Sequence, residues 1–237
     1  MSNAQRFINS YNKIDSQLRT VYGYRPQQSF SDIVRRTAPL NSTIRRYEME
    51  LIDYSRLRNA IVHKTIDEVI IAEPCDEVTE RIELIERLIL TPPKVVDYLG
   101  KKDIVTIDGK TSLRAVIKLI ASSSFSNIPV IDNGAIIGIV NNKRIVLSIA
   151  SAIERGLDVD VFLKERKVKD IVKEGDFGKY YAIADENTTI EEILKIFENE
   201  KKLVAILITK NGTFLDKVEN IVTTADLVTI TKVLEDY

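Results

Sequence analysis

The feature that most constrains this chain is an arrangement of apolar runs that occurs twice. Asn133-Gly134 sits between two short apolar runs, and Asn211-Gly212 sits between two more. Asn-Gly in that setting predicts a tight hairpin, because both residues tolerate the positive φ that such turns demand. Each hairpin is preceded by an apolar run and a helical stretch, and is followed by another helical stretch. In the first copy the expected order is a strand at 104–107, a helix over 112–122, strands at 128–132 and 136–140, and a helix over 143–155. In the second it is a strand at 181–184, a helix over 189–200, strands at 204–208 and 218–223, and a helix over 225–234. A β-α-β-β-α unit has a sheet face to hide, and a repeated unit hides it against its own copy.

The chain changes character upstream. Thr91-Pro92-Pro93 stops a helix and favours an extended linker. Eleven of the fifteen arginines lie in residues 1–91, and seventeen of the nineteen lysines follow them, which suggests two modules. Residues 1–90 read as helix throughout. Phe7, Ile8, Tyr11, Ile14, Leu18 and Val21 recur at helical spacing. Ser29 or Ser31 caps a second helix carrying Phe30, Ile33 and Val34. Asn41 or Ser42 opens a long third helix to about residue 64, and 76–90 forms a fourth with Val78, Ile82, Ile85 and Ile89 inward. The expected fold class is therefore α + α/β, a helical bundle followed by two β-α-β-β-α repeats forming a pseudo-symmetric pair.

Charge excludes little by itself. The net formal charge is −1, which gives no whole-chain argument for a nucleic acid or a membrane surface. Within the first module it is polarised: residues 1–64 carry +6 and residues 65–91 carry −6. Two readings stand, opposed surfaces that attract within the fold or a basic patch for a polyanion. No apolar run approaches the roughly 18 residues of a membrane span, and the first twenty residues do not read as a signal peptide. With a lone cysteine, Cys75, these features predict a cytoplasmic protein. One His and one Cys make a poor ligand set, so no metal is expected.

Ser126-Asn127-Ile128-Pro129-Val130-Ile131-Asp132-Asn133-Gly134 and Ile137-Gly138-Ile139-Val140 resemble the central hairpin of a CBS domain. The second copy, Val204 to Ile208, Asn211-Gly212 and Ile221-Val222-Thr223-Thr224-Ala225-Asp226, resembles it again. The resemblance implies CBS domains at 91–158 and 159–237, and an adenine nucleotide (AMP, ADP or ATP) as regulatory ligand. In that family a Thr or Ser three residues before an Asp marks the ligand site. The Asp accepts the ribose hydroxyls, and the hydroxyl and helix N-terminus face phosphate. Thr223 and Asp226 match, with Asn220 where the family has a small residue. A helix cap explains the same two residues without a ligand. The corresponding residues of the first copy are Asn141 and Arg144, and an arginine cannot accept a hydrogen bond from ribose. One ribose cleft is therefore expected, with Arg144 facing phosphate and Ala182, Ile183, Val204 and Ala205 as apolar walls.

Arg58-Asn59-Ala60-Ile61-Val62-His63 resembles the signature of HEPN domains, small helical domains that are often dimeric metal-independent ribonucleases. On a helix, Ile44, Tyr47, Leu51, Tyr54 and Val62 form an apolar stripe that includes Arg58, with Asn59 and His63 along its edge. An arginine there must find a carboxylate such as Asp53, a neighbouring chain or a ligand phosphate. The resemblance implies His63 as general acid or base, Arg58 stabilising charge at phosphorus, and Asn59 holding the His tautomer or contacting phosphate. It further implies a homodimer acting on single-stranded RNA. A helix-dipole contact for His63 and a purely binding or dimerising module are the competing readings. The combined expectation is a nucleotide sensor that controls a ribonuclease. The alternative is a non-catalytic, nucleotide-responsive regulator.

Overall fold

The computed structural model describes residues 1–63, 65–66, 69–70, 72–100, 102–123, 125–173 and 180–236. The chain divides into two compact units, Met1–Pro93 and Lys94–Asp236, directly after the Pro-Pro break.

The first unit holds helices α1 (Asn3–Tyr22), α2 (Phe30–Thr37), α3 (Ser42–Arg46), α4 (Glu48–His63) and α5 (Asp76–Leu90). Strands β1 (Thr65–Ile66) and β2 (Val69–Ile70) make a short antiparallel hairpin between α4 and α5. Ser2, Ser29 and Asn41 each accept a backbone N–H from the first turn of the helix that follows, which fixes where α1, α2 and α3 begin. Gly23 closes α1 in the left-handed conformation, with φ of 68°. Phe7, Ile14, Leu18, Ile33, Val34, Ile82 and Ile85 form the buried layer.

The long third helix expected from the sequence is interrupted. Tyr47 leaves helical geometry (φ −105°, ψ 15°) and splits it into α3 and α4. Its ring is buried and lies under the guanidinium groups of Arg46 and Arg81, 5.8 and 4.9 Å from the ring centre. The buried face beyond the break contains Leu51, Ile52 and Ile61, whereas Val62, expected inward, is exposed. Val21 and Ile89 likewise lie outside the buried layer, and Leu88 takes the buried place on α5.

The charge polarity is used within the unit. Arg6 on α1 holds Glu83 on α5 through two donors, at 2.9 and 2.8 Å. Lys13 pairs with Glu86 at 2.7 Å, and Arg81 pairs with Glu50. In the first two pairs the basic first half meets the acidic α5, and in the third the signs are reversed, with Arg81 on α5 and Glu50 on α4.

The second unit contains the repeat. Strands β3 (Ile107–Asp108), β4 (Asn127–Asp132) and β5 (Ala135–Asn141) form one sheet, and β6 (Tyr181–Asp185), β7 (Ala205–Thr209) and β8 (Val218–Thr223) form another. In both, the first strand is parallel to the second and the second is antiparallel to the third. Helices α6 (Leu113–Ala121) and α10 (Ile190–Asn199) make the parallel crossovers, and α7 (Asn142–Glu154) and α11 (Leu227–Asp236) follow the third strands. The strand expected at 104–107 shrinks to two paired residues, while Ile104 and Val105 pack against the two apolar clusters. Two helices were not foreseen, α8 (Val159–Glu165) and α9 (Val168–Lys173). Val168, Ile171 and Val172 of α9 enter the first copy's core, and a Cβ at Gly138 would lie 3.0 Å from the Cβ of Val172.

The two copies are tied by their lead-in segments. Before the second copy, Arg166 O accepts from Leu113 N and Val168 N donates to Thr111 O. Before the first copy, Val95 N donates to Thr188 O and Lys94 bridges to Thr189. Ile136 and Ile139 of β5 share one apolar cluster with Ala205, Leu207 and Val218 of the other sheet.

Leu207 is fully buried in that shared cluster. Leu207→Ala is expected to lower the unfolding free energy by about 2–5 kcal/mol. Val228→Ala, at an exposed position of α11, is expected to stay within about 0.5 kcal/mol of the parent. Urea unfolding followed by circular dichroism reads both.

Candidate functional site

The residues singled out in the repeat lie at two strand–helix junctions of the second unit, and the junctions differ. At the end of β8, the Thr223 backbone N–H and hydroxyl both donate to one oxygen of Asp226, at 2.7 and 2.9 Å. The other oxygen accepts from Lys102 at 2.7 Å. Lys102 also donates to Ile221 O at 2.8 Å, which anchors the ammonium at the junction. Asn220 donates to Gly100 O, so this lead-in segment is held from two sides. Partial burial acts to raise the Asp226 pKa, but the Lys102 ammonium and the Thr223 donors outweigh it and hold the carboxyl below its ordinary value. The cap reading and the site reading of Asp226 therefore share one geometry: an ionised, fixed carboxylate with a neighbouring cation.

At the end of β5, Asn141 caps α7 by accepting from Arg144 N at 3.0 Å. Arg144 is 5% exposed. Its guanidinium lies 5.6 Å from the centre of the Tyr180 ring and donates to Val172 O. Burial pushes its pKa below the ordinary arginine value, opposed by Tyr180 and Tyr181. Arg144, Asn141, Lys143, Leu147, Tyr180, Lys201, Lys202, Leu203 and Val204 line a cavity of about 320 Å³. Four of these described residues, Lys143, Arg144, Lys201 and Lys202, are cationic.

The expected residues are thus distributed rather than gathered. Thr223 and Asp226 bond to each other, and Ala205 faces Thr223 across the β7–β8 ladder. Val204 shares the cavity of Arg144. Ala205 is fully buried and packs, with Ile183, in the layer between the sheets. Ala182 pairs with Ile206 in the parallel ladder. Lys102, Lys143, Tyr180, Lys201 and Lys202 were not singled out in the sequence. The Lys201-Lys202 pair was visible there, but its meeting with Arg144 follows from the register of β6 beside β7, where Val204 N donates to Tyr180 O.

In the helical unit Arg58 is half-buried, with its guanidinium 5.9 Å from the centre of the Tyr11 ring. Asp53 pairs instead with Arg56 at 2.7 Å. Arg58 Nη1 reaches Asn59 Oδ1 at 3.4 Å, and its buried Nε has no hydrogen-bond partner among the described residues. Asn59 is exposed. His63 ends α4, and its side chain lies outside the described residues. Burial and the nearby Asp15 push the Tyr11 phenol up to about 12, opposed by Arg58 and a bond to Ser55.

The Asp226 carboxyl makes a pH prediction. Its folded pKa lies below the unfolded value, so its contribution to stability is present above the unfolded pKa and is lost as pH falls through the folded one. Asp226→Asn is expected to be less stable than the parent at neutral pH, with the gap closing as the solution is acidified below about pH 4. Denaturant midpoints of both proteins between pH 7 and pH 3 measure it.

No helix of the described residues is long and apolar enough to cross a membrane. No curated protein matches the chain. Among solved structures, CbpB in complex with c-di-AMP is similar at 17% identity, over 67% of this chain and 95% of that one, with a TM-score of 0.49. The CBS domain of a CBS-domain-containing membrane protein from Sphaerobacter thermophilus is 17% identical over 65% of this chain and 96% of its own, with a TM-score of 0.47. The CBS-domain protein ATU1752 from Agrobacterium tumefaciens is 15% identical over 57% and 89%, with a TM-score of 0.43. The family model for the CBS domain matches residues 95–151, so the first copy of the repeat is a CBS domain.

Proposed function

We propose that this chain is a regulatory protein whose second unit binds an adenine nucleotide and whose helical unit is the effector. The observation that carries the reading is the fixed, ionised carboxylate of Asp226 at the β8–α11 junction, with Thr223 on one oxygen and Lys102 on the other. A carboxylate is the acceptor that a pair of ribose hydroxyls requires. Lys102 is placed to exchange its ion pair for a ligand phosphate. AMP, ADP and ATP are the ligands proposed, with Ala182, Ile183, Val204 and Ala205 offered as the surroundings of the base and Arg144 as a phosphate contact. Calorimetric titration of the full chain with each nucleotide tests this. At least one is expected to bind, and Asp226→Ala is expected to weaken it about tenfold or more. If none binds, or if Asp226→Ala binds as tightly as the parent, the reading is wrong.

For the effector, the HEPN resemblance supports a metal-independent endoribonuclease. Arg58, Asn59 and His63 would act across a homodimer on single-stranded RNA. His63 would move the 2′-hydroxyl and leaving-group protons and Arg58 would stabilise the charge at phosphorus. A second reading is favoured by the half-buried Arg58 lying against the Tyr11 ring. On that reading Arg58 is structural, and the helical unit dimerises or docks without cutting RNA. Cleavage of a mixed single-stranded RNA in EDTA separates the two. A nuclease is expected to leave 2′,3′-cyclic phosphate ends and to lose activity in both Arg58→Ala and His63→Ala. Absence of cleavage by the parent, with and without nucleotide, leaves the docking reading. Nucleotide control requires that the ligand favour one of two effector states, so saturating ATP or AMP is expected to change cleavage or dimer state.

A further inference from the structure

The segment that enters the second unit, residues 94–100 and 102–104, follows directly on Pro93, where the helical unit ends. We infer that this segment is a strap whose far end occupies the ribose acceptor, so that Lys102 competes with nucleotide for Asp226 and a bound nucleotide loosens the strap. The inference rests on the nucleotide reading of Asp226 and adds to it the means by which that site would signal.

The strap is fastened to the second copy of the repeat along its length. At its start, Val95 is fully buried and its N–H donates to Thr188 O at 3.0 Å, while Lys94 Nζ donates to Asn187 Oδ1 at 2.7 Å. In its middle, Gly100 O accepts from Asn220 Nδ2 at 3.2 Å. Towards its end, Lys102 Nζ donates to Ile221 O at 2.8 Å and to Asp226 Oδ1 at 2.7 Å, and Ile104 packs against the apolar layer between the sheets. Of these fastenings, the Lys102–Asp226 pair alone engages a residue assigned to the ligand.

A carboxylate offers about four lone-pair sites. Asp226 Oδ2 already accepts from the Thr223 N–H and hydroxyl, and Oδ1 accepts from Lys102. Two ribose hydroxyls would bring the donors to five, so one resident donor has to leave. The Thr223 bonds close the turn that opens the last helix, and they are part of the fold. Lys102 is the donor that can go: its ammonium sits on a flexible four-carbon stem. The side chains of Lys102 and Asp226 are 29% and 20% exposed, so the pair lies at an edge that a ligand can reach. Departure of Lys102 removes the fastening nearest the site, and the strap loosens there first.

Calorimetric titration of the full chain and of Lys102→Met with adenosine, AMP and ATP reads the competition. Adenosine has the ribose and no phosphate, so loss of the ammonium is expected to tighten it about tenfold. AMP and ATP lose a phosphate contact in the same variant and are expected to gain less. Lys102→Arg keeps the cation and is expected to bind adenosine as the parent does. Hydrogen exchange read by mass spectrometry follows the strap. Amides of residues 94–104 are expected to exchange faster in the parent under saturating AMP or ATP, and in Lys102→Met without ligand. The inference is overturned if Lys102→Met binds adenosine no tighter than the parent, or if nucleotide binds while exchange across 94–104 is unchanged. If no adenine compound binds either protein, the nucleotide reading of Asp226 fails and the strap inference falls with it. Binding that Asp226→Ala abolishes and Lys102→Met leaves unaltered sinks the strap alone.

Discussion

The second unit depends on one apolar layer. Each three-stranded sheet is too small to bury its own face, and β5 solves this by placing Ile136 and Ile139 against Ala205, Leu207 and Val218 of the other copy. The lead-in segments then cross. Lys94-Val95 bonds at the start of the second copy's crossover helix, and Arg166 to Val168 bond at the start of the first copy's. Each copy thus receives hydrogen bonds from the lead-in of the other. That interdependence is what holds Tyr180 and Lys201 to Val204 of one copy beside Asn141 to Arg144 of the other, and it makes the cavity a product of the pairing rather than of either repeat.

Much of this was legible in the chain. The Asn133-Gly134 turn, the helix caps and the alternation of apolar runs placed nine of the second unit's elements to within about two residues, because each rests on local backbone chemistry. Asn133 and Gly134 do adopt positive φ, as the turn requires, whereas at Asn211-Gly212 only Gly212 does, and the longer segment 210–217 joins β7 to β8 in place of a tight hairpin. What was not legible came from longer range. Tyr47 breaks a helix whose local periodicity is unbroken, because its buried ring is held between Arg46 and an arginine on α5. The helix α9 is six residues long, and its Val168, Ile171 and Val172 spacing gives too short a pattern to separate from a loop.

The candidate sites divide along the same line. The Thr223–Asp226 pairing was readable because three residues of spacing at a strand–helix junction determine that contact. Lys102 was not readable, since it lies more than a hundred residues away and arrives only through the fold. Arg58 shows the converse. Its position within an apolar stripe suggested a carboxylate, a neighbouring chain or a phosphate as partner, and within the chain its guanidinium lies against the Tyr11 ring. In the helical unit the opposed charges found each other, as Arg6 with Glu83 and Lys13 with Glu86, so the halves' net charges are no guide to an external partner there.

The contrast between the two junctions is the most informative comparison within the molecule. The plan is shared: a third strand ends in a polar residue that bonds to the residue three positions on, although α7 follows β5 directly and a 3-10 turn, Thr224–Asp226, separates β8 from α11. At one junction that residue is Asp226, which draws a cation of the same chain to itself and is satisfied internally. At the other it is Arg144, which donates to the Val172 carbonyl, lies against the Tyr180 ring and shares a cavity with Lys143, Lys201 and Lys202. Duplication copies a backbone, and the repeat then needs only its packing residues to keep its shape. The residues at the junction are released from that constraint. One site can therefore keep the acceptor and the other exchange it for a donor, and the electrostatics of the two clefts diverge without any cost to the fold that positions them.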